Sequence, residues 1–271
     1  MEYIESPPSP VFSGFIKRFW SLEYDPAGKN AESETVLPDG CPEIVFNLSD
    51  RFLKLHRDGN EVQAATLFSG QLSRNITIQP TGRVQLFGVR FQPAGFVPFG
   101  VSMGDMTDQI VDLRLVLGQA GGELEEMVNS ASGFTDRIRI FENHFRSRLA
   151  DQGKEDPLTS AAAEMITQSG GAIPLSALRG RLGVSERRLE RHFKGAVGIS
   201  PKMLARISRF QAVVRTIQRS ESVGLLDAAL SFGYFDQSHM IREFREFSGE
   251  TPRGYFDHTH KISDIFTSVV D

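Results

Sequence analysis

Hydrophobic positions along the chain follow two different rhythms. Before about residue 105 they come in short runs rich in β-branched and aromatic side chains: WSLEY at 20–24, EIVFNL at 43–48, FLKLH at 52–56, TLFSG at 66–70, NITIQP at 75–80 and VQLFGVRF at 84–91. Turn chemistry separates the runs, with PDG at 38–40, DGN at 58–60 and PTG at 80–82. This pattern predicts many short strands with few helices, a small β-rich barrel or sandwich. Further on, TDRIRIFENHFRSRL places Ile138, Phe141, Phe145 and Leu149 three and four apart. That spacing predicts an amphipathic helix whose stripe packs on its own domain or on a second copy of the chain. After residue 158 the pattern is helical throughout. LTSAAAEMITQS, SALRGRLG, ERRLERHFKGAV, PKMLARISRFQAVVRTIQRS, LLDAALSFG and DQSHMIREFREF are punctuated by glycines and by Ser-Pro and Thr-Pro pairs. They predict about six or seven helices with capped ends.

The change of rhythm falls at SRLADQGKEDPLTS, where Gly153, a charged cluster and Pro157 read as an exposed linker. The fold expected is therefore α+β in two domains: a β-rich sensing or dimerisation domain at 1–150, a linker at 151–158, and an all-α domain at 159–260. A hydrophobic share of 40% and a charged share of 24% over 271 residues fit a globular chain and exclude a fibrous or disordered one. No apolar run nears the roughly 20 residues that cross a bilayer. MEYIESPPSP lacks the basic and apolar segments of a secretory signal, so a cytoplasmic protein without a membrane partner is expected.

Charge sharpens the division. Residues 1–157 hold 15 Lys and Arg against 22 Asp and Glu, whereas residues 158–271 hold 15 against 12. A basic second half points to a polyanion as its partner. Within that half one pattern occurs twice, in LSALRGRLGVSERRLERHFKGAVGISP and LLDAALSFGYFDQSHMIREFREFSGETP. Each copy has a short helix, a turn glycine (Gly183, Gly233), a polar cap (Ser185, Asp236) and a longer helix ending in Phe and a basic residue. This is helix–turn–helix grammar, and the two caps stand 51 residues apart. Leu189 and Phe193 in one copy, Met240, Phe244 and Phe247 in the other, form the inward face. Arg187, Glu190, Arg191 and Lys194, then Gln237, Ser238, His239, Arg242 and Arg245, are left outward. Side chains of these types pair with base edges in a major groove or neutralise phosphates.

GVSERRLERHFKGAVGISPKMLARISRFQAVV followed by DAALSFGYFDQSHMIREFREFSGETP resembles the AraC/XylS family of transcription regulators over about residues 160–257. The resemblance implies a seven-helix domain in which PKMLARISRFQAVVRTIQ joins two helix–turn–helix units. Their recognition helices would enter successive major grooves of double-stranded DNA about 34 Å apart. Arg187, Glu190, Arg191, Gln237, Ser238, His239 and Arg242 would read bases, with RNA polymerase as the downstream partner. LPDGCPEIVFNL and FGVRFQPAGFVPFGVSMGDMTDQIVDL resemble the family's N-terminal sensing or partner domains. The chain departs from the family pattern at Arg179, where a small residue is usual and the second copy keeps Ala229.

Competing chemistry has little support. His56 and His144 stand 88 residues apart, and no Gly-rich phosphate loop, nucleophile elbow or HExxH occurs, so neither a cofactor nor a metal is expected. The lone Cys41 reads as a small buried residue or an exposed thiol. An enzyme domain carried on a DNA anchor is the alternative function, and residues 1–157 show no catalytic cluster for it. For a small-molecule effector the candidate residues are Trp20, Asp39, Glu43 and Arg90, each also readable as a core aromatic, turn residue or surface ion pair.

Overall fold

The computed structural model describes residues 1–25, 32–152, 156–219 and 230–257. The first domain is built of strands β1 Glu2–Ser6, β2 Ile16–Tyr24, β3 Glu34–Val36, β4 Glu43–Asn47, β5 Phe52–Leu55, β6 Glu61–Val62, β7 Thr66–Ser69, β8 Ile76–Pro80, β9 Val84–Phe91 and β10 Ile110–Asp112. All six runs read from the hydrophobic pattern are strands. The other four were missed: β3, β6 and β10 are two or three residues long, and β1 is led by charged residues. The strands form a six-stranded sheet ordered β1-β2-β9-β4-β7-β10 and a four-stranded sheet ordered β3-β8-β5-β6. Two separate sheets make a sandwich, not a closed barrel.

Strand alternation splits the larger sheet between two cores. Trp20, Leu22 and Leu86 meet Phe52 and Ile78 of the smaller sheet. Phe19, Ile44, Phe87, Val89 and Phe91 point the other way, toward Phe141 and Phe145 of a helix. Helices α1 Leu113–Leu117, α2 Gln119–Asn129 and α3 Phe134–Gln152 thus make a third layer. Phe145 packs edge-on against Phe12 and Phe15 at ring separations of 5.7 and 5.6 Å. The Phe141/Phe145 stripe is fully buried in its own domain and is not a surface for a second copy.

The second domain contains α4 Pro157–Gln168, α5 Leu175–Leu182, α6 Glu186–Ala196, α7 Pro201–Arg219, α8 Gln237–Ser248 and α9 Pro252–Phe256. Of the segment expected as linker, residues 151–152 close α3 and 157–158 open α4; residues 153–155 lie outside the described residues. Asp156 caps α4 through Thr159 and meets Nδ1 of His192, on α6, at 2.7 Å. Burial pushes the Asp156 carboxyl up, and the hydrogen bonds from His192 and Thr159 outweigh it, so the group sits below its ordinary value.

Candidate nucleic-acid interface

In the first unit, α5 ends at Gly183, whose φ of 63° is left-handed and lets the chain reverse. The Ser185 hydroxyl accepts from the Arg188 N–H at 3.3 Å and starts α6. Leu189 and Phe193 are buried, Arg187, Arg191 and Lys194 exposed, and Glu190 half-buried. Arg179 lies in the last turn of α5 and reaches outward to Glu186 at 2.9 Å, so its bulk does not wedge the two helices apart.

The second unit repeats the device. Gly233 has φ 75°, and an Asp236 carboxylate oxygen accepts from the His239 N–H at 2.6 Å. Met240, Phe244 and Phe247 are buried; Ser238, Arg242 and Arg245 are exposed; Gln237 and His239 are half-buried. Ala229 lies outside the described residues, as does most of the expected preceding helix.

Sequence reading missed two residues here. Glu243 reads as one more polar position on an outward face, yet it is buried and ties α8 to α7. Its Oε2 meets Arg206 Nε of α7 at 2.9 Å, and its Oε1 accepts from the Tyr234 hydroxyl at 2.9 Å. The second residue is Phe235, 87% exposed in the turn just ahead of the Asp236 cap. A large aromatic so exposed beside the second helix of the unit is a signal that composition alone does not carry.

Among the described residues the β domain hydrogen-bonds to this assembly at three places. Gln211 of α7 donates from Nε2 to the Pro38 carbonyl at 2.7 Å. The Met103 N–H donates to the Gly195 carbonyl at the end of α6 at 2.9 Å, while Thr107 Oγ1 donates to Gly198 at 2.7 Å. The Asn75 N–H donates to the Phe247 carbonyl near the end of α8 at 3.0 Å. Both α6 and α8 are therefore held near their C-terminal ends. Lys194 belongs to this docking region, with Nζ 3.0 Å from the Gly198 carbonyl and its stem beside Gly104. Arg191 shares a surface groove with residues 97 and 100–102 of the β domain.

The four effector candidates come together. Arg90 meets Glu43 through Nε at 2.6 Å and Asp39 through Nη2 at 3.2 Å. Trp20 Nε1 donates to the same Glu43 oxygen at 3.3 Å. Burial, with Asp39 adding to it, raises the Glu43 carboxyl's pKa above its ordinary range against the pull of Arg90. Cys41 is buried beside this cluster, and burial pushes its thiol up, which disfavours the reactive thiolate. His56 lies 3.6 Å from Glu61, far from His144 in sequence. Among the described residues no group of three His, Cys, Asp or Glu is placed to hold a metal, and no helix is long and apolar enough to cross a membrane.

Residues 178–258 match a family described as a helix-turn-helix domain, and residues 4–112 match a domain of unknown function. No curated protein sequence matches the chain. Among solved structures it is similar to ToxT from Vibrio cholerae at 1.65 Å resolution, with TM-score 0.49 and 11% identity, covering 88% of this chain and 98% of that one. Unsaturated fatty acid-bound ToxT from strain SCE256 gives 0.47 and 11%, covering 88% and 94%. The AraC-like transcriptional activator CuxR gives 0.31 and 14%, covering 80% and 86%. The repeated glycine turn, polar cap and buried apolar pair fall within the residues that match the helix-turn-helix domain, so the second half of the chain carries that domain.

Proposed function

We propose that the chain reads an operator through α6 and α8 in successive major grooves of one DNA face, and that its β domain sets how well it does so. Bound there, it would act on RNA polymerase. The observation that carries this reading is the shared construction of the two units. Each exposes basic and polar side chains along one flank, Arg187 and Arg191 in α6, Ser238 and Arg242 in α8, while its apolar pair is buried. The Arg206–Glu243–Tyr234 lock ties α8 to the helix that joins the units, which restrains their separation.

A recognition helix presents its N-terminal residues to base edges, and both N-terminal halves lie away from the docking points near Gly195 and Phe247. Selection from a random duplex library with the full chain tests the reading. The expected result is two half-sites whose centres lie about 10–10.5 base pairs apart. A single half-site, or no enrichment over the starting pool, would overturn it.

A further inference from the structure

Between the two sheets lies a cavity of about 80 Å³ that the DNA-binding machinery does not use. Val36 and Ile78 from the smaller sheet and Val45, Leu67 and Leu86 from the larger line it, with Trp20 on the same wall. The Trp20 ring lies flat over Gly88, where a Cβ would fall 1.9 Å from its Cε2. Any other residue at 88 would displace the indole. Asn47, Gln63 and Ser69 add neutral polar groups, and Glu43 is the one charged side chain among the described lining residues.

The Glu43 side chain is 15% exposed. Its hydrogen bonds from Trp20 and Arg90 both fall on Oε1, which leaves Oε2 able to accept from an occupant. Arg90 does not depend on Glu43 alone, since Asp39 also holds it. Lys17 lies 3.7 Å from Cys41 Sγ and is not among the described lining residues.

Building on the proposed role in operator recognition, we propose that this cavity is the effector site, that it takes a small amine with a compact apolar body, and that occupancy reaches α7 through residues 37–43. An apolar cavity with one carboxylate favours an occupant that brings a cationic donor and apolar surface, and penalises an anion. The route to α7 is short. Glu43 follows directly on the segment that carries Asp39, which holds both Arg90 and the Cys41 N–H, the latter at 2.9 Å. The same segment packs Leu37 into the core of the helical domain, offers the Pro38 carbonyl to Gln211, and brings Gly40 against α7. At Gly40, φ is +79° and a Cβ would sit 2.8 Å from Leu204 Cδ1. Pockets for drug-sized ligands run to about 300 Å³ or more, so an amine larger than this cavity must move its walls. The movement changes DNA affinity only as far as it favours one docking of the segment on α7 over another.

Three molecules with one apolar body test the proposal: 3-methylbutylamine, 3-methylbutan-1-ol and 3-methylbutanoate, each titrated into the full chain by calorimetry without DNA. The amine is expected to bind saturably, with the alcohol about tenfold or more weaker and the acid weaker still. Glu43→Gln should abolish the preference for the amine. Leu67→Phe, which fills the cavity and keeps the carboxylate, should abolish binding while the circular dichroism spectrum is retained. Adding the amine should change affinity for the selected duplex in the wild type. In Gln211→Ala that change should be lost with amine binding intact. Equal or tighter binding of the acid, no binding of the amine, or amine binding that survives Leu67→Phe would each overturn the site. Amine binding with unchanged DNA affinity would overturn the route through α7. Failure to bind DNA at all appears separately, because the titrations are done without it.

Discussion

Gln211 in the middle of α7 donates its side-chain amide to the carbonyl of Pro38 at 2.7 Å, across 173 residues of sequence. The two domains are therefore joined by a buried polar contact as well as by the chain between them. Gln211→Ala removes the donor and leaves a buried carbonyl unpaired, at a cost of about 1–3 kcal/mol. Chemical denaturation of the full chain measures it. Limited proteolysis should still cut between Leu149 and Thr159, but the fragments should co-elute in the wild type and separate more readily in Gln211→Ala. Separation of the wild-type fragments immediately after the cut would contradict the docking.

Arg191 and Arg242 are exposed on α6 and α8, and in a major groove a guanidinium there would give two parallel hydrogen bonds to guanine O6 and N7. Arg191→Ala and Arg242→Ala should each flatten preference at one or two base positions, at about 1–3 kcal/mol of discrimination. Arg245→Ala should weaken all duplexes alike and lower the salt slope by about 0.9. Lys194, with its ammonium on the Gly198 carbonyl, should leave the slope nearly unchanged when replaced by Ala. Single-base operator variants across a salt series separate these outcomes. Unchanged base preferences for both arginines would make them phosphate contacts.

Phe235 is exposed just ahead of α8, and if α8 enters the second half-site the ring is expected to meet a thymine methyl group at its edge. Phe235→Ala should weaken operator binding several-fold with little effect on stability. Replacing single thymines by uracil in that half-site should weaken the wild type at one position and leave Phe235→Ala unaffected there. If wild type and variant lose equally at every uracil, the ring does not touch a methyl group.

Arg179 pairs with Glu186 at the surface, with side chains 35% and 70% exposed. Pairs of this kind contribute about 0–1 kcal/mol, so Arg179→Ala should change unfolding free energy by no more than that. A loss above about 2 kcal/mol would mean that Arg179 supports the first unit in a way the ion pair does not explain.

The sequence by itself determined what depends on neighbours a few positions away. Strand runs, the 3.6-residue stripes, the turn glycines and the caps at Ser185 and Asp236 are set by local backbone chemistry, and all are present as read. The tandem helix–turn–helix pattern was legible for the same reason. Only the tertiary structure decided what depends on strand register and docking. Trp20, Asp39, Glu43 and Arg90 were each plausible alone, but nothing local joins them. Pairing of β4 with β9 sets Glu43 opposite Arg90, and pairing of β2 with β9 sets Trp20 opposite Gly88. A slip of one residue would send each side chain to the opposite face. Glu243 was illegible for a related reason. Its polar type suits a solvated face, and only Arg206 and Tyr234, brought in from other segments, make its burial tolerable. Whether Phe141 and Phe145 met their own sheet or another copy likewise rested on the inner face of β2 and β9. A stripe's spacing states that it must be covered and leaves its partner to the fold.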